Sequence, residues 1–327
     1  MKKTVLIILC AILAAACILL PGCQRTPKEP ETEQGSGSAT IRIVTTIFPL
    51  YDFARAVCGN GSTPISADVT MLLAPGMETH SYEPTPQDII RIQDCDLFLY
   101  IGGESDEWVE EILSSMDRPV HALRLMEYVD LLEEEGEEEE EYDEHIWTSP
   151  VNAVKMLEAI RDDVWELVNA KQAALGIESY QPIADMYAGY ADTYIEEIRE
   201  LDQEFRDLFA NVSEKTVFFG DRFPFLYFVK EYGLSYYAAF PGCYEGSEPS
   251  VADITGLVDE AKALSVSTIY YIELSNHQIA DVIAESTGAS TAMIHSCHNV
   301  SQADFNSGAT YLDLMRCNLE TFKATLK

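Results

Sequence analysis

The sequence predicts an α/β protein of two lobes, each a mainly parallel sheet flanked by helices, joined by one long backbone helix. Three observations carry that prediction. Short apolar runs alternate with helical patterns over residues 41–180 and again over 212–327, and such alternation belongs to parallel strands, which need a helix to cross over. Between the two stretches, residues 181–211 hold apolar side chains at spacings of three and four, the period of one helix face. Finally, the residues best suited to bind a ligand stand just after strands, where open α/β sheets bind their ligands.

The elements follow in order. Lys2 and Lys3, an apolar run over 5–20, and Leu20-Pro21-Gly22-Cys23 have the form of a secretory signal over residues 1–22. The last four residues resemble a bacterial lipobox, which makes Cys23 the lipidated first residue of the mature chain. At about 16 residues the apolar run is short for a membrane span. Residues 23–40 are rich in Pro, Glu, Gly, Ser and Thr with no apolar period, and read as a flexible tether. In the first lobe, 41–180, strands are expected at 41–47, 69–73, 96–101 and 120–125. Helices are expected at 51–57, 87–93, 108–116 and 150–167. Residues 131–144 interrupt this rhythm with a Glu-rich loop, in which only Gly136 breaks the run of Glu from 133 to 141; self-repulsion makes that a surface segment. The linking helix, 181–211, has the stripe Ile183, Met186, Tyr190, Tyr194, Ile198, Leu201, Phe205, Leu208. In the second lobe, 212–327, strands are expected at 216–219, 234–240, 268–272 and 291–294. Helices are expected at 223–232, 250–264, 278–286 and 311–326.

Charge narrows the partners. The chain carries 21 basic against 55 acidic residues, a net −34, and repels nucleic acid and anionic lipid surfaces. His80 sits in a loop framed by Pro75, Pro84 and Pro86, after the second strand. His145 ends the Glu-rich loop, Glu273 closes a strand, and His295 follows another. Imidazoles with a carboxylate suit a borderline divalent ion, Zn²⁺ first, with Mn²⁺ or Fe²⁺ open. His121 and His277 read as exposed or structural. His295 is as open to ligation as to a structural part. His298 reads as structural first, with Asn299 as a local capping partner. Ligating imidazoles must be neutral, so affinity is expected to fall as pH drops through about 6.

At these residues the chain resembles the zinc/manganese substrate-binding lipoproteins of bacterial ABC importers. The likeness runs through Val44-Thr-Thr-Ile-Phe-Pro-Leu-Tyr-Asp52, Pro75-Gly-Met-Glu-Thr-His-Ser-Tyr-Glu-Pro-Thr-Pro86 and Gln93-Asp-Cys-Asp-Leu-Phe98. It continues through His145-Ile-Trp-Thr-Ser-Pro-Val-Asn152, Glu273-Leu-Ser-Asn-His-Gln-Ile-Ala280 and Tyr311-Leu-Asp-Leu-Met315. The resemblance implies one metal ion in the cleft between the lobes. Its ligands would be His80, His145 and Glu273, and the ion would pass to a membrane permease driven by an ATPase. It also exposes a departure: Arg222 stands where the family usually offers His or Glu, and a guanidinium cannot ligate. Asp221, water, His295 or His298 is then expected to complete the set. The chain is expected to act as a lipid-anchored extracytoplasmic monomer, not as an enzyme. Two other readings are a manganese- or iron-binding adhesin and a zinc hydrolase with Glu78 or Asp221 as general base. Five cysteines follow Cys23, and Cys243 with Cys297, both after strand ends of the second lobe, is the best disulfide pairing; a thiolate near the metal is the rival.

Overall fold

The computed structural model describes residues 39–59, 63–80, 82–134, 141–178, 182–240 and 249–326. The signal segment 1–22, Cys23, nearly all of the tether, residues 135–140 of the Glu-rich loop and Cys243 lie outside them. Among the described residues no helix is long and apolar enough to cross a membrane.

The first sheet has the order β2-β1-β3-β4, built from β1 (Ala39–Thr45), β2 (Ile65–Met71), β3 (Leu97–Tyr100) and β4 (Ala122–Arg124), every pair parallel. Its helices are α1 (Phe48–Cys58), α2 (Pro86–Asp94) and α3 (Glu107–Ser115). The second sheet repeats the pattern as β6-β5-β7-β8, from β5 (Thr216–Phe219), β6 (Ser235–Ala238), β7 (Thr268–Ile272) and β8 (Ser290–Ile294), again all parallel. Two long helices, α4 (Pro150–Leu175) and α5 (Ile183–Asn211), come between the sheets in sequence. Then follow α6 (Leu226–Tyr232), α7 (Val251–Ala263), α8 (Gln278–Thr287), α9 (Gln302–Ser307) and α10 (Tyr311–Thr325). In both sheets the chain reverses direction between the two central strands, which opens a crevice at their carboxyl ends.

One apolar core runs through both lobes. It joins Ile41 and Ile43 of β1, Phe53 of α1, Ile160 of α4 and Phe205 of α5 to Phe219 of β5, Phe228 of α6 and Phe322 of α10. The outer face of each sheet has its own smaller core, around Val44, Phe98 and Val109 in the first lobe and Phe218, Ile269 and Ile283 in the second. Helix α5 spans roughly 44 Å at 1.5 Å per residue, so one rigid element serves both lobes.

Several boundaries differ from expectation. Strand β2 starts at Ile65, because Ala39 to Thr45 of β1 pair with Ile65 to Met71. It is an edge strand with alternating character and not the apolar run at 69–73; Leu72 and Leu73 lie past its end, with their N–H groups donating to the Thr45 and Thr46 carbonyls. Strand β1 begins two residues inside the stretch read as tether. Helix α4 runs eight residues past 167 to Leu175, where Lys171 reaches the Thr40 carbonyl (2.6 Å) and the Asp96 carboxylate (3.1 Å). The buried face of α5 uses Tyr187, Ala191, Ile195 and Phe209 in place of Met186, Tyr190, Tyr194 and Leu208. Tyr190 and Tyr194 are only partly buried against the core, and Tyr194 donates its hydroxyl to Asp52 (2.6 Å).

Candidate metal centre

Four side chains converge in the cleft. One donor atom each from His80, Glu144, His145 and His298 lies within 4.8 Å of the others. The three imidazoles form a triangle, with ring centroids 6.0 Å apart for His80 and His145 and 5.2 Å for His298 to each. Each is positioned by a different device.

His80 ends the loop after β2. That loop turns at Gly76, whose φ of +80° favours glycine. The second lobe then grips it: Gly76 N–H donates to the Val300 carbonyl (2.8 Å), and the Asn299 side-chain amide donates to the carbonyls of Ala74 (2.9 Å) and Met77 (2.8 Å). Asn299 is thus a clamp between lobes.

Ser105, in a short turn after β3, organises two donors at once. Its hydroxyl donates to Glu144 Oε1 and its N–H to Glu144 Oε2 (2.9 Å), and its oxygen lies 3.0 Å from His80 Nδ1. A serine has one hydroxyl proton. With that proton given to Glu144, His80 Nδ1 must donate, which leaves the lone pair on Nε2. Gly103 makes room: a Cβ there would fall 2.3 Å from Glu144 Cβ. Buried Asp106 braces the turn by accepting from Ile101 N–H (2.7 Å) and Gly102 N–H (3.2 Å), and burial pushes its carboxyl up to about 7.

His145 is held by its neighbour Asp143. The carboxylate accepts from His145 N–H (2.8 Å) and lies 3.2 Å from Nδ1, so this ring too presents Nε2. A carboxylate behind a histidine is the usual way such ligands are oriented. Tyr227, from α6 of the second lobe, donates its hydroxyl to the Asp143 carbonyl (2.8 Å) and accepts from Leu132 N–H (3.1 Å).

His298 follows β8. Its N–H donates to Ser296 Oγ (3.2 Å), and its ring packs 4.9 Å from Trp147. Trp147 is fully buried and donates Nε1–H to the Ser296 carbonyl (2.9 Å). Cys297 between them has a φ of +60°, a conformation that costs a non-glycine residue of order 1–3 kcal/mol and persists only where its surroundings enforce it.

Burial first, then the nearby His145 and Arg222 charges, push the His80 imidazole down to about 3. Burial, His145, His80 and Arg222 hold His298 well below the ordinary value. Both rings are therefore neutral, the form that ligates. Three nitrogens and a carboxylate oxygen match the donor set of a borderline divalent ion.

The other expected residues stand nearby in different parts. Glu273 accepts from Ser296 N–H (2.6 Å) and Ser296 Oγ (2.7 Å), and burial lifts it to about 7; it lines the same small recess as His80 and His298 but is outside the four-donor group. Asp221 accepts from the N–H groups of Arg222 (2.9 Å) and Ile272 (3.3 Å), pinning β5 to β7. His295 exchanges backbone bonds with the Asn318 side chain (2.7 Å each way) and is outside the group. His121 pairs with Asp163 (3.1 Å) and His277 with Asp281 (3.0 Å). The structural reading of His298 needs correction: Asn299 caps the first lobe's loop, which turns His298 to face His80 and His145. Glu144 was missed, although its place beside His145 and Asp143 was a usable signal. Cys297 is a buried free thiol.

Residues 43–325 match the protein family described as zinc-uptake complex component A, periplasmic. The high-affinity zinc uptake system protein ZnuA of Bacillus subtilis is 30% identical over 328 residues, covering 96% of this chain and 96% of that protein. The zinc-binding lipoprotein AdcA of Streptococcus pneumoniae is 28% identical over 339 residues, covering 99% of this chain and 61% of AdcA. The chain therefore spans about three fifths of the length of AdcA. The crystal structure of the Zn(II)-bound ZnuA-like domain of that AdcA superposes with a TM-score of 0.72 at 28% identity, covering 88% of this chain and 99% of the domain.

Proposed function

This chain belongs to the family of zinc-uptake complex component A, periplasmic, and from that membership we propose that it is the extracytoplasmic substrate-binding component of an ABC importer. It captures one divalent transition-metal ion, zinc first, and delivers it to a membrane permease with its ATPase. The observation that carries the reading is the convergence of His80, Glu144, His145 and His298 on one point.

The ion is substrate here, and the chain's work is to hold it and let it go. His80, His145 and His298 supply neutral nitrogens and Glu144 a charged oxygen. Ser105 and Asp143 fix which nitrogen each first-lobe ring presents. His298 takes the place left by Arg222. Glu273 braces Ser296, which in turn holds the His298 backbone. With the core continuous through both lobes, release proceeds by movement of the 295–300 and 74–80 loops rather than by wide opening. Lipid attachment at Cys23 keeps the protein at the membrane beside its permease.

The test is a zinc titration of purified apoprotein, with bound metal counted by elemental analysis. One ion per chain is expected, lost in His80→Ala combined with His145→Ala. Stoichiometric tight zinc in that double variant sinks the assignment.

A further inference from the structure

Arg222 lines the recess beside the proposed metal centre. Its N–H is bound by Asp221 (2.9 Å) at the carboxyl end of β5. The next residue, Phe223, is buried and stacked on Tyr236 at 3.8 Å between ring centroids. The guanidinium therefore projects into the cleft, where it lines one recess with His80, Glu273 and His298. Across the recess it meets Glu78 of the first lobe, Nη1 to Oε1 3.3 Å. An arginine stays charged at any physiological pH. Its charge stands in the recess that His80 and His298 line, and there it opposes a dication, more strongly than a single positive charge because the charge is doubled.

We propose that Arg222 is an affinity-setting residue, a fixed positive charge that weakens the hold on a divalent ion, and that Glu78 sets how far by offsetting it. This rests on the metal-site reading above. A site that must surrender its ion to a permease gains from a built-in opposing charge, and Arg222 supplies it without occupying a coordination position. Glu78, half exposed on the rim, is placed so that any contact drawing it away from Arg222 lowers affinity at once.

The experiment measures zinc affinity by competition with a chromophoric chelator, on wild type, Arg222→Gln, Arg222→Lys, Glu78→Gln and the Arg222→Gln/Glu78→Gln pair. Arg222→Gln is expected to bind zinc about tenfold more tightly at low ionic strength, with the gap shrinking to about threefold in 1 M salt. Arg222→Lys keeps the charge and stays within about twofold of wild type. Glu78→Gln weakens binding about threefold alone, and by less once Arg222 is neutral, because only its own direct attraction for the ion is then lost. An Arg222→Gln affinity equal to or weaker than wild type overturns the proposal, as does Arg222→Lys binding as tightly as Arg222→Gln. Should Arg222→Gln fail to fold, a second neutral variant, Arg222→Met, decides: tighter binding than wild type supports the proposal and equal or weaker binding overturns it. A wild type that binds no zinc overturns the metal-site reading instead, so the two failures are distinguishable.

Discussion

The two lobes share one sheet order and equip the cleft in opposite ways. The first lobe contributes three of the four converging donors, His80, Glu144 and His145. Two of its own residues, Ser105 and Asp143, set their tautomers and positions. The second contributes one donor, His298, on a loop that turns through a strained Cys297. Of its carboxylates nearest the cleft, Asp221 accepts two backbone N–H groups and Glu273 the N–H and hydroxyl of Ser296, and it adds a positive charge at Arg222. On the proposed assignment, the first lobe is a preorganised half-site and the second a latch that adds a single imidazole. The difference teaches that equivalent strand ends do not give equivalent chemistry. Glu144 and Glu273 are held alike, each by the N–H and hydroxyl of one serine, and what separates them is position, since Glu144 lies within reach of the three imidazoles.

The largest expected effect tests the latch. His298→Ala should weaken zinc binding by about a thousandfold, a loss of about 4 kcal/mol, while Glu273→Gln should cost less than about tenfold, as a residue acting through another. The comparison breaks if isothermal titration gives the reverse order, which would make Glu273 the ligand and His298 its support. Next comes the preorganised half. Ser105→Ala removes the group that fixes both Glu144 and the His80 tautomer, and should cost about tenfold to a hundredfold in affinity. Its signature is a shift of the His80 ring to mixed tautomers in nitrogen-15 spectra of the apoprotein; unchanged spectra would show that Glu144 alone orients the ring. The smallest effect is in pH. With His80 at about 3 and His298 well below its ordinary value, a depressed imidazole stays neutral until pH falls to the folded value. Zinc affinity should then change by no more than about twofold from pH 7.5 to 5.5. The fall near pH 6 expected from the sequence is the competing outcome, the one for imidazoles at their solution value. A loss of about tenfold over that range would mean that the rings are wetter than their packing shows.

Much of the fold was legible in the sequence because it rests on local periodicity. The strand–helix alternation, the long α5 and the capping boxes at Thr85, Ser250 and Thr310 are written in spacings of two to four residues. That His80 and His145 belong to the converging group fits their place in the sequence, in proline-framed and acidic turns. The edge strand β2 was harder to place, since its register comes from β1 rather than from its own apolar run.

His298, Glu144 and the parts of Glu273 and Arg222 lay beyond any local pattern. Sequence alone determined two α/β lobes, a long helix between them, and histidines and carboxylates standing at strand ends. It could not decide which donors meet, because that depends on contacts between residues more than two hundred positions apart, such as Asn299 to Ala74 and Met77. Those hydrogen bonds draw the 295–300 loop over the first lobe and turn His298 toward His80. Only the tertiary structure brings those two loops together, since a backbone carbonyl in one lobe has to find its donor in the other.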